Sequence, residues 1–304
     1  MFKSFEEIEQ YVLKNKIVKT IALANAEDDN ALEALITARK KGIAKGILIG
    51  DIPKIKVILD KYNEDHSYYE FIPCSDEQKS AALAVSLVKE KKADIPMKGL
   101  MMTSSFMKAV LDKENGLLNK DWLLSQATIL EYSEENRLMI ISDCAVNISP
   151  DATKKIMIVQ NAIDLALTLG INKPNVAVLS ALEKVNPKIQ STVDADIVAR
   201  HKGYKNVGHI AGPLALDIAI SKEAALHKGI TNEVCGKADI LIVPDLAAGN
   251  IFTKGLVFLA HMKSAGVLNG TVSPVIMTSR TDTPYDKYLS ILVAILQSDY
   301  KKNN

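Results

Sequence analysis

The segment VIMTSRTDTPYDKYLS, Val275 to Ser290, sets anion-handling residues at the end of an apolar run. Val275, Ile276 and Met277 call for an interior; Ser279, Arg280, Thr281 and Asp282 follow, and then a helical pattern. The planar fork of Arg280 suits a carboxylate or another bidentate anion. Its presence is pointed, because Arg39, Arg137, Arg200 and Arg280 are the only arginines among 37 basic residues. A helix opening just after it adds backbone amides that favour negative charge.

Other segments share this form. ILIGD ends at Asp51, MIISDCAVN holds Asp143 and Asn147, HIAGPLALD runs to Asp217, and ILIVPDLAAGN carries Asp245 and Asn250. Each sets small or polar residues where a strand gives way to a helix. Taken singly, such an Asp or Asn reads as an N-cap, worth about 0.5–2 kcal/mol against Ala. Taken together, they read as the lining of one cleft.

The elements that must position these residues follow from apolar patterning. Buried strands are expected at Val18–Leu23, Gly46–Ile49, Ala127–Leu130, Leu138–Ile141, Val176–Leu179, Val207–Ala211, Ile240–Val243 and Val275–Met277. Helices are expected at Asp29–Lys40, Asp76–Lys91, Pro150–Leu169, Thr192–His201 and Asn250–Ala265. Apolar strands alternating with helices predict an α/β fold with largely parallel sheets covered on both faces. Ligands in such sheets collect at the carboxyl ends of strands. The change from a first lobe to a second is expected near Asp143–Pro150. The first lobe then comprises residues 1–143 with 287–304, and the second residues 144–286. The final helix, Asp286–Gln297, folds back on the first lobe.

Composition narrows the function. The 304 residues carry a formal net charge of +1, which offers no field for nucleic acid or an anionic membrane. No apolar run reaches the roughly 18–20 residues needed to span a bilayer, and the acidic N-terminus lacks a signal-peptide core. Cys74, Cys144 and Cys235 lie far apart without metal-ligand spacing, so a reduced, cytoplasmic setting is expected. No GxGxxG, GxxxxGK[ST], GxSxG or HExxH motif occurs, and the five histidines have no metal-ligand partners at short spacing. Asp143 beside Cys144 disfavours a reactive thiolate, so Cys144 reads as a buried, inert thiol.

MKGLMMTSSFMKAVLDKENGL, SDCAVNISPDA, GPLALDIAISKEAALHKGI, GKADILIVPDLAAGNIFTKGL and SPVIMTSRTDT resemble, in this order, blocks of the phosphate acetyl/butyryltransferase family. They span roughly Asp94 to Thr283, and the overall length suits the butyryl branch. The resemblance implies reversible transfer of a short or branched, butyryl-like acyl group between CoA and inorganic phosphate, through a ternary complex. It implies two α/β lobes similar to the isocitrate and isopropylmalate dehydrogenases, with the active site in the cleft. It also implies a homodimer or larger homo-oligomer, no metal, and no cofactor beyond CoA as substrate. The partners are then acyl-CoA, phosphate and acyl phosphate. Phosphate acetyltransferase, a non-catalytic relative binding CoA or acyl phosphate, and a metal-dependent hydroxyacid dehydrogenase are the alternatives.

The resemblance also assigns residues. Arg280 holds phosphate, and Ser279 stabilises the developing oxyanion. The thiol proton goes to Asp282, favoured in the butyryl branch, or to Asp286, which matches the acetyl branch. Thr103, Ser104 and Ser105 are candidate phosphate or acyl contacts, and Asn250 and Lys254 candidate substrate contacts. Lys108 stands where the family often has arginine, keeping the charge without the bidentate fork.

Overall fold

The structure is a computed structural model that describes residues 1–303. The chain divides into two compact units: Phe5–Asp121 with the residues from Ala265 onward, and Met1–Ser4 with Trp122–Ser264.

The first unit opens with α1 (Phe5–Lys14), β1 (Lys19–Ala24), α2 (Asp29–Lys40), β2 (Ala44–Gly50) and α3 (Ile52–Lys61). It continues with β3 (Tyr69–Pro73), α4 (Glu77–Lys89), β4 (Ile95–Lys98) and α5 (Thr103–Val110). The strands form one sheet in the order β3-β2-β1-β4, with parallel pairing throughout. β1 and β4 are buried almost end to end, as strands covered on both faces must be. Chain direction reverses about β1, since β2 and β3 lie on one side and β4 on the other; this is a topological switch point. The helices after β1, β2 and β3 each start from an Asp cap: Asp28 accepts from Ala31 N at 3.0 Å, Asp51 from Lys54 N at 3.3 Å and Asp76 from Lys79 N at 2.8 Å. Asp51 is therefore a cap, the simpler of its two sequence readings.

The second unit holds β5 (Ser125–Tyr132), β6 (Arg137–Ser142), α6 (Ala152–Thr168), β7 (Val176–Leu179), α7 (Gln190–Arg200) and β8 (Ile210–Leu214). It is completed by α8 (Leu216–Ile220), α9 (Lys222–His227), β9 (Ile240–Ile242) and α10 (Leu246–Phe258). Its strands lie in the order β5-β6-β9-β7-β8. β5 and β6 form an antiparallel hairpin turned at Asn136, a residue with φ of 51°, and the other pairings are parallel. Because β6 is hydrogen-bonded to β9, both hairpin strands belong to this unit. The boundary thus falls at Asp121/Trp122, ahead of the expected Asp143–Pro150. On the helical side, Lys155 Nζ of α6 meets Asp194 Oδ2 of α7 at 2.8 Å, with both side chains nearly buried. Gln190 Nε2 supplies a further donor to Asp194 at 2.8 Å.

β10 (Ser264–Asn269) and α11 (Pro284–Asn303) return the chain to the first unit. Ile291 to Ile295 of α11 are fully buried, and the helix packs on α2 and α1. Tyr288 Oη donates to Glu9 at 2.6 Å, and Lys19 Nζ pairs with Asp299 at 2.9 Å.

Several expected elements shift. The strand expected at Val207–Ala211 is β8, three residues later. The helix expected at Asn250–Ala265 starts four residues earlier, because Asp245 caps it through Ala248 N at 2.9 Å. It ends before the extended run SAGVLN, which is a strand. Val275 and Ile276 make isolated bridges to Leu268 and Met97, so this segment borders β4 without being a full strand.

Candidate active site

The carboxyl ends of β1 and β4 carry the chemistry of the first unit. β4 ends in Lys98, only 3% exposed, whose Nζ donates to Gly99 O at 3.2 Å. A Cβ on Gly99 would lie 2.2 Å from Asn25 O and 2.6 Å from Ala24 O, so a glycine is needed for the chain to turn this close to β1. Burial, with Lys287 adjacent, pushes the Lys98 ammonium down to about 8; Asp28 and Asp282 oppose that shift and Arg280 adds to it. Three cations and two carboxylates thus share one neighbourhood.

Lys287 lies in the second turn of α11 and is 2% exposed. Its Nζ donates to Thr278 Oγ1 at 3.0 Å and to Ser279 O at 2.9 Å, which fixes the loop carrying Arg280. Burial lowers its pKa, while Asp28 and Asp282 act in the opposite direction. Asp282 folds back so that its Oδ2 accepts from Ser279 N at 2.7 Å, and its carbonyl accepts from Asn30 Nδ2 of α2 at 3.2 Å. Ser279 Oγ lies 3.0 Å from Thr281 Oγ1 at the exposed lip of the loop.

Arg280 reaches across to the start of α5. Its Nη2 donates to Met101 O at 3.4 Å and lies 3.7 Å from Met102 Sδ. Met102 is the N-cap residue of α5 and supplies no side-chain acceptor, so the opening amides at Thr103, Ser104 and Ser105 lack a capping side chain. Around the same cluster, α2 is capped by Asp28, while Thr283 and Asp286 cap α11 reciprocally. Of the three helix starts, α5 alone has no side-chain cap from its own N-cap residue, and Glu77 Oε1 accepts from Met102 N at 3.1 Å just ahead of its free amides.

The sequence-selected residues therefore separate. Ser279, Arg280 and Asp282 adjoin Lys98, and Thr103, Ser104 and Ser105 open the helix that Arg280 touches. Asp286 lies in the first turn of α11, where its Oδ2 accepts from Thr283 N and Oγ1. Lys108 lies in the last turn of α5 and lines, with Ser105, Lys79 and Asp112, a cavity of about 280 Å³ between α4 and α5.

Asn250 and Lys254 stand on α10 of the second unit. Asn250 Nδ2 donates to Cys144 O at 3.4 Å, and Lys254 is exposed. The loop that Asn250 contacts is set by Asp143, whose carboxylate accepts from the amides of Ala145, Val146 and Asn147 at 2.9–3.1 Å. Burial raises the Asp143 pKa against those hydrogen bonds. Burial and the adjacent Asp143 push the Cys144 thiol up to about 12, in keeping with an inert cysteine.

Lys98 and Lys287 were passed over in the sequence although both fall within the segments that drew attention. Their one legible signal is position, a lysine closing an apolar strand and a lysine one turn past a capping threonine. Among the described residues, no group of three or more His, Cys, Asp or Glu side chains is arranged to hold a metal ion. No helix among them is long and apolar enough to cross a membrane.

Comparison with known proteins bears on the family. The chain is 42% identical to phosphate butyryltransferase of Clostridium acetobutylicum, over 99% of this chain and all of that one. Its fold superposes on the branched-chain phosphotransacylase of Enterococcus faecalis V583 with a TM-score of 0.82, at 34% identity, covering 92% of this chain and 99% of the other. A 4-hydroxythreonine-4-phosphate dehydrogenase from Burkholderia phymatum matches at a TM-score of 0.54 and 12% identity, over 91% of this chain and 98% of the other, a likeness of fold alone. A family model described as phosphate acetyl/butaryl transferase matches residues 73–295, a span that includes Lys98, Arg280 and Lys287. A family match over residues 73–295, with 42% identity along nearly the whole chain, shows that the chain belongs to that acyltransferase family.

Proposed function

We propose that the chain transfers a four-carbon or branched acyl group reversibly between CoA and inorganic phosphate. The observation that carries this reading is the meeting of Arg280, buried Lys98 and the uncapped start of α5 at one switch point. Phosphate and acyl phosphate need that concentration of charge and donors. With the charge drawn from side chains and amides, the reading includes no metal and no cofactor beyond CoA as substrate.

In the direction of acyl-CoA synthesis, the CoA sulfur attacks the carbonyl carbon of the acyl phosphate. Asp282 takes the thiol proton, the new C–S bond forms, and the C–O bond to phosphate breaks. Arg280 and Lys98 hold the departing phosphate, and the Ser279 hydroxyl donates to the developing oxyanion. Loss of one such donor costs about 10²–10³ in rate in comparable sites. Asp286 is read as a helix cap, since its bonds to Thr283 N and Oγ1 lie within the first turn of α11, whereas Asp282 lies in the loop beside Arg280. The resemblance adds Asn250 and Lys254 as substrate contacts and leaves Lys108 as a peripheral cation.

The reading extends to a cytoplasmic homo-oligomer. The helix α10, LAAGNIFTKGLVF, buries only Gly249 and Thr253 and exposes Ile251 and Phe258, and Leu259 just after it is exposed too. A second copy covering this apolar face removes it from water. Light scattering on the purified chain gives the oligomer size, and a strictly monomeric protein overturns that part.

The deciding experiment measures initial rates of free thiol release with phosphate and a panel of acetyl-, butyryl- and isobutyryl-CoA. Highest kcat/KM on the four-carbon substrates is expected. Preference for acetyl-CoA reassigns the chain to the acetyl branch, and no thiol release from any of them overturns the reading.

A further inference from the structure

The first unit has a second basic site at the opposite end of its sheet. The C-terminal ends of α4 and α11 and the turn ahead of β4 enclose a cavity of about 580 Å³. Lys89, Lys91, Lys301 and Lys302 line it, with Asp94 as the carboxylate among its lining residues. Asp94 immediately precedes β4, whose far end is Lys98, so the full length of β4 separates this cavity from the candidate active site.

Asp94 is largely occupied. Its Oδ2 accepts from Thr20 N and its Oδ1 from Lys302 Nζ, both at 2.8 Å. Lys89 Nζ donates to the carbonyl of Glu114, and Lys301 Nζ to the carbonyl of Thr271 at 2.7 Å. Those acceptors satisfy a donor without cancelling a charge. The ammonium of Lys91 has no hydrogen-bond or ion-pair partner among the described residues. The nearby Glu90 is paired with Lys92 at 2.7 Å.

Lysines at helix C-termini ordinarily balance the helix dipole. Each of the two helix ends here contributes about half a negative charge. Setting both ends and Asp94 against Lys89, Lys91 and Lys302 leaves about one positive charge without a structural counterpart. The cavity also has an apolar side formed by Leu117, Val272 and Pro274, and its size falls within the roughly 300–1,000 Å³ typical of small-ligand sites.

We propose that this cavity binds a phosphate monoester of a small organic molecule, its dianion held by Lys89 and Lys91 and its carbon skeleton against Val272 and Pro274. The apolar side distinguishes such a ligand from free phosphate, and the shared phosphate monoester covers nucleoside and sugar sources alike.

The test titrates the full chain with adenosine monophosphate, glucose 6-phosphate and inorganic phosphate by calorimetry. Three proteins are compared: the unaltered chain, Arg280→Ala, and Lys89→Ser/Lys91→Asn. Asn is chosen at Lys91 because that residue has a φ of 60°, which Asn tolerates. At least one ester is expected to bind one-to-one, to retain its affinity in Arg280→Ala, and to bind roughly tenfold or more weakly in the double variant. Retention by the double variant of the unaltered unfolding midpoint and acyl-transfer rate shows that folding is intact. Absence of ester binding at millimolar concentration overturns the proposal. So does binding lost with Arg280 but kept in the double variant, or binding equal in all three proteins.

Discussion

Thr283 and Asp286 cap α11 for each other: Asp286 Oδ2 accepts from Thr283 Oγ1 at 2.5 Å and from Thr283 N at 3.3 Å, while Asp286 N donates to Thr283 Oγ1 at 3.1 Å. This reciprocal box satisfies opening donors of the helix and places a negative charge at its positive end. Asp282, four residues earlier, instead turns toward Ser279 N in the loop that holds Arg280. The two aspartates of one short segment therefore have different structural roles.

That division predicts different outcomes from removing each charge. Asp282→Asn is expected to lower the maximal rate by about 10²–10⁴, the usual contribution of a positioned base. Asp286→Asn is expected to leave the rate within a few-fold, and Thr283→Ala to cost about 0.5–2 kcal/mol of stability. Rates at saturating substrate and urea unfolding check both. An Asp286→Asn rate as low as that of Asp282→Asn would return the base to Asp286.

Arg280→Ala is expected to raise the KM for phosphate by roughly tenfold to a hundredfold, the scale of a charge-assisted pair. Arg280→Lys recovers only part of this, because the ammonium lacks the fork. An unchanged phosphate dependence removes Arg280 from the anion site.

Lys98 gives the site a pH dependence. Burial holds its pKa at about 8, below the ordinary lysine value, so it is charged below about 8 and neutral above. Phosphate KM is therefore expected to rise as pH increases through about 8. Lys98→Arg, which stays charged, should lose that limb. Between about 8 and the ordinary lysine value, the unfolded chain holds a proton that the folded chain lacks, so this titration makes stability increase with pH in that window. A flat KM profile in the unaltered enzyme contradicts the role given to Lys98.

The Lys155–Asp194 pair makes a prediction for the second unit. Asp194→Ala leaves a nearly buried ammonium unpaired and is expected to cost about 3–5 kcal/mol. Replacing both partners by leucine or methionine of similar volume should cost much less. Urea midpoints of the single and double variants measure the difference, and equal losses would contradict it.

Apolar runs such as Val176–Leu179 and Ile240–Ile242 were legible as strands, because burial on both faces leaves no polar alternation to obscure them. The segments after strands were legible as places for chemistry, since parallel sheets gather ligands there. The hairpin β5–β6 was not legible as a hairpin, because two short apolar strands look alike whether they pair parallel or antiparallel. Lys98 and Lys287 were missed for a related reason. Nothing local distinguishes a lysine at 2–3% exposure from a solvated one; the neighbours that bury it arrive from α2, β1 and the Arg280 loop. The charge at Lys108 was easier to see in a motif, yet the fold places it in the last turn of α5, beside α4.

The position of α11 has a consequence for synthesis on the ribosome. This helix supplies buried residues to the first unit, yet all of Trp122–Ser264 is translated before it. At ordinary elongation rates that delay is on the order of ten seconds. During it, the apolar surface of α2 destined for Ile291 and its neighbours has no partner from its own chain. The unit that begins at Phe5 must therefore finish last, so a nascent chain stalled before Pro284 exposes a face that quality-control factors can recognise.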